Sequence, residues 1–286
     1  MNFFKYHGCG NDYVYVDCFK TEIKNPSNLA KKISNRRYGI GSDGLILMCP
    51  SEVADAKMRI FNSDGSEAKM CGNGIRCVAK YLFDEKKIRK NDLLIETLSG
   101  IKCLNILEST LTKSIVMVNM GSPNLQAKKL PFKTEINKEI INDHFEFGSF
   151  NFRITCISMG NPHCVIFVED IENIDIKQQG LAIQNSGYFL EGVNVEFVQV
   201  ARLQTLNMRV WERGSGETLA CGTGACAAAV ASVLCGYCKK EHSIDVHLRG
   251  GKLKIDFRKK EVFMIGEAVK VFIGIYDENY TNDFKV

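Results

Sequence analysis

Membrane-spanning and export segments are missing from this 286-residue sequence. No uncharged stretch approaches the ~18 residues that a membrane helix needs, and the first residues lack the apolar core of an export signal. We therefore expect a cytoplasmic protein without a membrane partner. The net charge is only +4 and is spread along the chain, so the sequence predicts no nucleic-acid partner either.

Motifs that bind cofactors or metals are missing as well. No phosphate loop of the form G-x-x-x-x-G-K-[ST] occurs, and Gly8-Cys9-Gly10 is not followed by the third glycine of a dinucleotide-binding loop. The 5 histidines show no paired metal-ligand spacing, and no lysine stands in a recognisable Schiff-base context. The sequence therefore predicts a protein that uses neither a cofactor nor a metal.

Cysteine, by contrast, is plentiful, with 12 residues. In a small exported domain this number would indicate disulfides, but this chain is neither small nor predicted to be exported. Most of the cysteines lie among apolar residues and are predicted to be small core side chains. Cys235 and Cys238 form a lone C-x-x-C that closes a predicted helix and lacks a second pair at zinc-ligand spacing, so we predict a structural role for both.

Two of the cysteines, Cys71 and Cys221, lie 150 residues apart in near-copies of one short segment. The copies span residues 61–74 and 211–224, and each begins with an aromatic residue and ends in Cys-Gly-x-Gly. The same offset also places the pair Gly10-Asn11 on the pair Gly160-Asn161. A repeat of this length predicts two similar domains from an internal duplication, because solenoid repeats are much shorter.

The order of predicted elements agrees with a duplication. Short β-branched or aromatic runs predict strands, and helical periodicity follows each of the two cysteines. We therefore predict an α/β (α+β) fold with two pseudo-symmetric domains. Gly121-Ser122-Pro123 interrupts the pattern, which places the domains at 1–118 and 119–266, with a C-terminal strand within 267–286 that returns to the first domain.

Each Cys-Gly-x-Gly segment leads into a predicted helix, and this placement has chemical consequences. The first N–H groups of a helix have no partner within it, so together with the helix dipole they can bind a carboxylate. They also stabilise a thiolate, which predicts a thiol pKa lowered from ~8.5 towards neutrality. Two such thiols suit removal and return of a proton at one carbon, with one sulfur as base and the other as acid. Such a pair inverts a stereocentre.

Simpler interpretations of the same residues stay open at this point. Each segment can be only a helix-entry turn around a buried cysteine, and two close thiols can instead form a redox pair. A thiol-based redox or metal-binding protein is therefore a non-enzymatic alternative. It predicts bound zinc or a stable disulfide in the functional form.

Further motifs match one family signature. The first half contains Asn62-x-Asp64-Gly65-Ser66-x4-Cys71-Gly72-Asn73-Gly74-x-Arg76. The second half contains Gly160-Asn161-Pro162-His163, Gly192-Val193-Asn194-Val195, and the run from Trp211-Glu212-Arg213-Gly214 to Cys221-Gly222-Thr223-Gly224. On these motifs, which cover essentially the whole chain, the sequence resembles the diaminopimelate epimerase family.

The resemblance implies a fold in which each domain is a curved mixed sheet wrapped around a central helix, with the active site in the cleft between the domains. It also implies a cofactor-independent isomerase that interconverts L,L- and meso-2,6-diaminopimelate in the synthesis of lysine and peptidoglycan precursors. Cys71 and Cys221 would be the acid/base pair and would exchange roles with the direction of reaction. His163 and Glu212 would support them by hydrogen bonding.

The resemblance further implies which residues hold the substrate. These are Asn11, Asn62, Gly72, Asn73, Asn161, Asn194, Glu212, Arg213, Gly222 and Thr223. Main-chain groups of Gly72-Asn73 and Gly222-Thr223 would take the reacting α-carboxylate. The simpler alternatives are turn positions for Asn11, Asn161 and Asn194, a surface ion pair between Arg213 and Glu212, and a packed strand-edge position for His163.

Two positions depart from the family pattern. Some members have glutamine where Gly44 stands, so one side-chain contact is absent here. A tyrosine that some members use at a dimer contact is replaced by Phe272. This change removes one hydrogen bond from the expected homodimer, which apolar burial can still hold together.

Related enzymes of the same fold are the nearest enzymatic alternatives. Proline and hydroxyproline racemases usually have Cys-Gly-His where this chain has Cys71-Gly72-Asn73. The isomerases of phenazine synthesis replace the cysteine pair. Both types fit the sequence less well than diaminopimelate epimerase.

Overall fold

The computed structural model describes residues 1–86, 88, 90–133 and 139–277, and this part of the chain contains both helices and many strands. The predicted α+β class is confirmed. None of the described helices is long and apolar enough to span a membrane.

The helices of the described residues are α1 (Pro26–Ser34), α2 (Gly72–Asp84), α3 (Ile176–Gln184) and α4 (Gly222–Leu234), with a 3₁₀ turn at Ala127–Lys129. The strands are β1 (Asn2–Gly8), β2 (Asn11–Asp17), β3 (Gly44–Cys49), β4 (Ala56–Asn62), β5 (Glu67–Ala68), β6 (Asp92–Thr97), β7 (Gly100–Ser109), β8 (Lys113–Gly121), β9 (Asp143–Phe147), β10 (Phe150–Ser158), β11 (Pro162–Phe167), β12 (Asn194–Arg202), β13 (Thr205–Glu212), β14 (Gly216–Thr218), β15 (Ile244–Leu248), β16 (Gly251–Arg258) and β17 (Glu261–Ile275).

The chain divides into two compact units. Unit 1 holds Met1–Val118 together with the segment that begins at Gly266, and unit 2 spans Asn119–Ile265. Residues 278–286 of the predicted returning segment lie outside the described residues.

Unit 1 is a mixed sheet packed against helix α2. β1 is antiparallel to β2 and to the last part of β17, β2 is parallel to β3, and β3 is antiparallel to β4. β4 is parallel to β6, and β6, β7 and β8 then pair antiparallel. Nearly every residue of α2 is buried, and the helix packs against β1, β2 and β7. This helix therefore forms the centre of the unit.

Unit 2 has the same kind of architecture around α4. β9, β10 and β11 pair antiparallel, β11 is parallel to β12, and β12 is antiparallel to β13. β13 pairs with β14 and runs parallel to β15, which continues antiparallel through β16 to the first residues of β17. The alanine-rich α4 is buried along most of its length and packs against β10 to β13.

One order of elements occurs in both units. A helix joins two parallel strands in β2-α1-β3 and again in β11-α3-β12. Each unit then continues through antiparallel strands and one short strand, β4-β5 or β13-β14, into its central helix. As a result, Cys71 and Cys221 occupy equivalent positions, each directly before the central helix of its own unit.

Candidate active site

Cys71 caps the N-terminus of α2. Its backbone is extended, with φ −137° and ψ 114°, and its sulfur accepts a hydrogen bond from the main-chain N–H of Gly74 at 3.3 Å. A side chain in this position satisfies one of the helix N–H groups that have no partner inside the helix. The sulfur therefore lies where the start of a helix favours negative charge.

Asn11 and Asn73 lie beside the Cys71 sulfur. Oδ1 of Asn11 accepts a hydrogen bond from the thiol at 3.4 Å and from Nδ2 of Asn73 at 3.5 Å. Nδ2 of Asn11 donates to Oδ2 of Asp43 at 2.7 Å, which leaves Oδ1 directed at the sulfur. The sequence interpretation considered Gly44 and passed over its neighbour Asp43, which orients Asn11.

Arg76 binds the first residues of α2, next to Cys71. Its side chain is fully buried and donates to the carbonyl oxygen of Gly72 at 3.0 Å, to Oδ1 of Asn73 at 2.9 Å and to the carbonyl oxygen of Glu267 at 3.2 Å. A buried guanidinium requires such acceptors. The sequence interpretation matched Arg76 to the signature without giving it a role. The available signal was a charged residue inside the apolar run that directly follows Gly74, from Ile75 to Ala79.

Asn62 lies at the end of β4, apart from the Cys71 group. Its Nδ2 donates to Oγ of Ser66 at 3.0 Å, within the turn that leads to β5. Among the described hydrogen bonds of unit 1, three predicted site residues are therefore joined directly, namely Asn11, Cys71 and Asn73, and Asn62 is not joined to them.

Cys221 caps α4 in the same way as Cys71 caps α2. Its φ and ψ are −120° and 112°, and its sulfur accepts a hydrogen bond from the main-chain N–H of Gly224 at 3.4 Å. Oγ1 of Thr223 lies 3.5 Å from the same sulfur. Cys221 is almost completely buried, whereas Cys71 is half-buried.

His163 lies fully buried in β11, with both ring nitrogens facing oxygen atoms. Nδ1 is 2.6 Å from Oε1 of Glu196, and Nε2 is 3.1 Å from Oδ1 of Asn161. Nδ2 of Asn161 donates to Oγ1 of Thr223 at 3.3 Å. Two predicted residues, His163 and Asn161, are thus joined to the Cys221 sulfur through a third, Thr223. Glu196, which the sequence interpretation missed, lies at the far end of this chain of hydrogen bonds.

Glu212 lies at the end of β13. Its Oε1 accepts a hydrogen bond from the hydroxyl of Thr218. Burial raises the pKa of the Glu212 carboxyl, and the charge of Glu196 acts in the same direction, while hydrogen bonds from Thr218 and Cys221 lower it. This carboxyl therefore ionises less readily than the carboxyl of an exposed glutamate.

Arg213 follows Glu212 directly in the sequence, and its hydrogen bonds are to Glu191 and Asn194. Its side chain donates to the carbonyl oxygen of Glu191 at 2.7 Å, and its main-chain N–H donates to Oδ1 of Asn194 at 2.9 Å. Nδ2 of Asn194 donates to the carbonyl oxygen of Pro162 at 3.1 Å. Asn194 therefore links the start of β11 to the end of β13.

The surroundings of the Cys71 sulfur act on its pKa in both directions. Burial raises the pKa of the thiol. Hydrogen bonds from the N–H groups of Gly74 and Asn73 and from the Tyr13 hydroxyl lower it, as does the charge of Arg76. The net direction is upward, because the lost hydration of a buried thiolate outweighs these donors.

The pKa of the Cys221 thiol lies well above its ordinary value. Burial raises it, and the nearby carboxyl groups of Glu212 and Glu196 raise it further, while Thr223 and the N–H of Gly224 act against them. The prediction that the helix N-termini bring the thiol pKa values towards neutrality was therefore wrong for both cysteines. Sequence spacing reveals the helix ends, but burial and neighbouring charges decide the sign of the shift.

The C-x-x-C pair lies at the other end of α4. Cys235 is the C-cap residue, and the main-chain N–H of Cys238 donates to the carbonyl oxygen of Ser232 at 3.0 Å. Both residues are free thiols. In the part of the chain that the structure describes, no three His, Cys, Asp or Glu residues are grouped so that they could hold a metal ion.

Comparisons with known proteins cover nearly the whole chain. A family model described as diaminopimelate epimerase matches residues 3–126 and 155–271. A diaminopimelate epimerase of Acetivibrio thermocellus is 50% identical over 98% of this chain and 99% of its own length. A diaminopimelate epimerase of Methanococcus maripaludis is 46% identical over 97% of this chain and 100% of its own length.

Solved structures with the same fold have much lower sequence identity. A phenazine biosynthesis protein of the PhzF family from Bacillus anthracis gives a TM-score of 0.68 at 19% identity, covering 96% of this chain and 98% of that chain. A hydroxyproline epimerase from Agrobacterium vitis gives 0.64 at 14% identity, covering 96% and 90%. These likenesses show the fold alone, and the matches along the full sequence show the family. The chain belongs to the diaminopimelate epimerase family.

Proposed function

We propose that this protein is a diaminopimelate epimerase, which interconverts L,L- and meso-2,6-diaminopimelate in the synthesis of lysine and peptidoglycan precursors. The observation that carries the proposal is a cysteine sulfur at the N-terminus of a buried helix in each unit. These two helix ends occur in a chain that is 50% identical to a diaminopimelate epimerase along nearly its full length.

In the proposed reaction, one sulfur acts as a thiolate and removes the α-proton of the substrate. The other sulfur acts as a thiol and delivers its proton to the opposite face of the same carbon. The electrons of the broken C–H bond delocalise into the α-carboxylate, so negative charge grows on its oxygens. Main-chain N–H groups of Gly72-Asn73 and Gly222-Thr223, at the starts of α2 and α4, are suited to stabilise that charge.

Raised thiol pKa values are compatible with this chemistry. A thiolate with a raised pKa is a stronger base, which helps it to remove the weakly acidic proton of an amino-acid α-carbon. The donors around Cys71 and the carboxyl groups around Cys221 support a resting state in which Cys71 ionises more readily and Cys221 stays protonated. After each turnover the two sulfurs have exchanged protonation states, which suits a reversible reaction.

The remaining predicted residues would hold the two ends of diaminopimelate. The groups beside the sulfurs, Asn11, Asn73, Asn161 and Thr223, would contact the reacting end. Glu212, which is hydrogen-bonded to the Cys221 thiol, would also contact the reacting end. The residues further from the sulfurs, Asn62, Asn194 and Arg213, would contact the distal end. The guanidinium of Arg213 has five N–H donors, more than its contact with Glu191 uses, and suits a distal carboxylate.

We further propose that the enzyme is a cytoplasmic homodimer. β17 exposes large apolar side chains at Val271, Phe272, Ile273 and Ile275, with exposed fractions of 53%, 45%, 56% and 82%. Such a strip favours coverage by a partner. Analytical ultracentrifugation is expected to show a dimer for the natural sequence and a monomer for Phe272→Glu. A natural protein that sediments as a monomer contradicts this proposal.

Solvent deuterium uptake tests the proposed reaction. L,L-diaminopimelate incubated with the enzyme in deuterated water is expected to give meso product with deuterium at the inverted carbon. Substrate recovered early is expected to keep its hydrogen, because different sulfurs remove and deliver the proton. L-proline serves as the comparison substrate, and exchange with proline alone would contradict the proposal. Elemental analysis for zinc tests the metal-binding alternative on the same sample.

A further inference from the structure

Glu196 in β12 is a fully buried carboxyl group for which the proposed reaction has no use. Its Oε1 lies 2.6 Å from Nδ1 of His163, and its Oε2 is buried without a hydrogen-bond partner among the described residues. A carboxylate in such surroundings is costly unless a cation or several donors face it. The position of Glu196 therefore requires a reason beyond packing.

A chain of hydrogen bonds connects Glu196 with the Cys221 sulfur. From Glu196 it runs to His163 at 2.6 Å, and from the other ring nitrogen of His163 to Oδ1 of Asn161 at 3.1 Å. Nδ2 of Asn161 donates to Oγ1 of Thr223 at 3.3 Å, and that oxygen lies 3.5 Å from the sulfur. Every member of the chain belongs to unit 2.

The direction of each hydrogen bond follows from the groups at its ends. An imidazole is ordinarily more basic than a carboxylate, so the hydrogen between the two groups is assigned to Nδ1 of His163, and Glu196 accepts it. Because Nδ2 of Asn161 donates to Thr223, the amide presents Oδ1 to Nε2, which must carry a hydrogen as well. His163 is then an imidazolium paired with the Glu196 carboxylate. The Thr223 hydroxyl, having accepted from Asn161, is free to donate to sulfur.

The groups that titrate near this pair come from three further positions in unit 2. They are Glu212 at the end of β13, Cys221 before α4 and Cys164 in β11. Two of them, Glu212 and Cys221, belong to the proposed active site. The cation on His163 is therefore expected to offset one of the two carboxylates close to the Cys221 sulfur.

Close packing holds the carboxylate in this place. A Cβ atom built on Gly224 would lie 2.6 Å from Oε1 and 3.2 Å from Cδ of Glu196. The missing side chain at Gly224 therefore makes room for the carboxylate directly beneath the start of α4. A Cβ atom built on the corresponding glycine of unit 1, Gly74, would instead lie 2.6 Å from the Cδ1 methyl of Ile46.

We propose that Glu196 is a positioning residue of the active site, which holds His163 as a donor through both ring nitrogens and thereby fixes the orientation of the Asn161 amide beside Thr223 and Cys221. Its effect on turnover rests on the proposed function. Its effect on His163 does not, and can be measured without substrate.

Nitrogen-15 NMR of the histidine rings tests the proposal. The His163 signals are assigned by their loss in His163→Gln. The natural protein is expected to show two protonated ring nitrogens at pH 7, and Glu196→Gln is expected to show one. Glu196→Asp keeps the charge and is expected to restore the doubly protonated ring. Asp256→Asn removes another buried carboxyl of unit 2 and is the matched control, with no change at His163.

Kinetics provide the second measurement. Glu196→Gln is expected to lower kcat/KM about 10- to 100-fold, the range for loss of a hydrogen bond to a charged group, while Asp256→Asn stays within about twofold. A natural protein with an unprotonated His163 nitrogen at pH 7, or a Glu196→Gln variant that keeps both protons, overturns the proposal. The protonation of His163 in the natural protein can be measured without the Glu196→Gln variant. The proposal therefore stays testable even if that variant does not fold. Absent epimerase activity would refute the proposed function separately.

Discussion

In unit 1 the sulfur before the central helix lies among hydrogen-bond donors, whereas in unit 2 the equivalent sulfur lies near two carboxyl groups. The backbone is nearly the same at both places: φ and ψ are −137° and 114° at Cys71 and −120° and 112° at Cys221. In each unit the N–H of a glycine three residues later donates to the sulfur. The duplication therefore preserved the helix end and changed the charges around it.

The changed charges can be followed position by position, because the two copies keep an offset of 150 residues. Among the pairs that differ, five hold residues that lie near the two sulfurs or belong to the predicted site, namely Tyr13 and His163, Ile46 and Glu196, Asn62 and Glu212, Asn73 and Thr223, and Arg76 and Cys226. At these positions unit 1 has the buried cation Arg76 and no carboxylate. Unit 2 has the carboxyl groups of Glu196 and Glu212 and the imidazole of His163. Such a difference favours one thiol as the first base and the other as the first acid.

Removing either sulfur should have the largest effect. Cys71→Ser and Cys221→Ser are each expected to lower the rate of epimerisation by about 10²–10⁴-fold, the usual contribution of a positioned acid or base. Circular dichroism should show an unchanged fold. Cys103→Ser, at an exposed cysteine, is the control and should retain full activity. Full activity in either active-site variant would refute a mechanism in which both thiols move protons.

Removing the buried guanidinium of Arg76 should have the next largest effect, which is on the stability of the protein. Arg76→Met leaves the acceptors of Gly72, Asn73 and Glu267 without their donor. We expect the free energy of unfolding to fall by about 3 kcal/mol in urea titration. Arg249→Met removes an exposed partner of Glu172 and should change it by less than about 0.5 kcal/mol. Equal losses in the two variants would show that burial of Arg76 has no special importance.

The two glycines at equivalent positions should respond differently to an added methyl group. Gly224→Ala drives Cβ into the buried carboxylate of Glu196. The close contact of Gly74→Ala is with the end of the Ile46 side chain, and its contacts with Cys71, at 3.5 Å, are of ordinary length. We expect losses of about 2 kcal/mol for Gly224→Ala and less than about 1 kcal/mol for Gly74→Ala. Thermal unfolding of both variants checks the order. A greater loss in Gly74→Ala contradicts the difference described here.

Replacing the Glu212 carboxyl by an amide, as at the equivalent position Asn62 of unit 1, should have a smaller effect, which is on the pH dependence of stability. Burial raises the pKa of Glu212 above its ordinary 4.5, so the folded protein loses stability as the pH rises above that value and the carboxyl must ionise. Glu212→Gln should remove this loss. The variant is expected to be more stable than the natural protein at pH 7 and equally stable below pH 4. Glu146→Gln, at an exposed position, should show no such pH-dependent difference in urea titrations.

Much of this site could be predicted from the sequence, and the rest depends on three-dimensional packing. The repeated Cys-Gly-x-Gly segments predicted two helix N-termini because glycine turns and helical periodicity are local signals. Asp43 and Arg76 were not assigned roles, since each acts on a residue that tertiary structure brings to it. Glu196 did leave a signal, as the one charged residue in the apolar run 195–198, but only burial shows its meaning.

The pH dependence of alkylation at the two sulfurs tests the difference between the units most directly. Each thiol reacts with iodoacetamide as its thiolate, and mass spectrometry of the separated peptides follows Cys71 and Cys221 in one sample. Burial raises both pKa values, but the carboxyl groups beside Cys221 raise its pKa further. The alkylation rate of Cys71 should therefore rise at a lower pH than that of Cys221. Coincident profiles, or a lower midpoint for Cys221, would contradict the proposed assignment of base and acid.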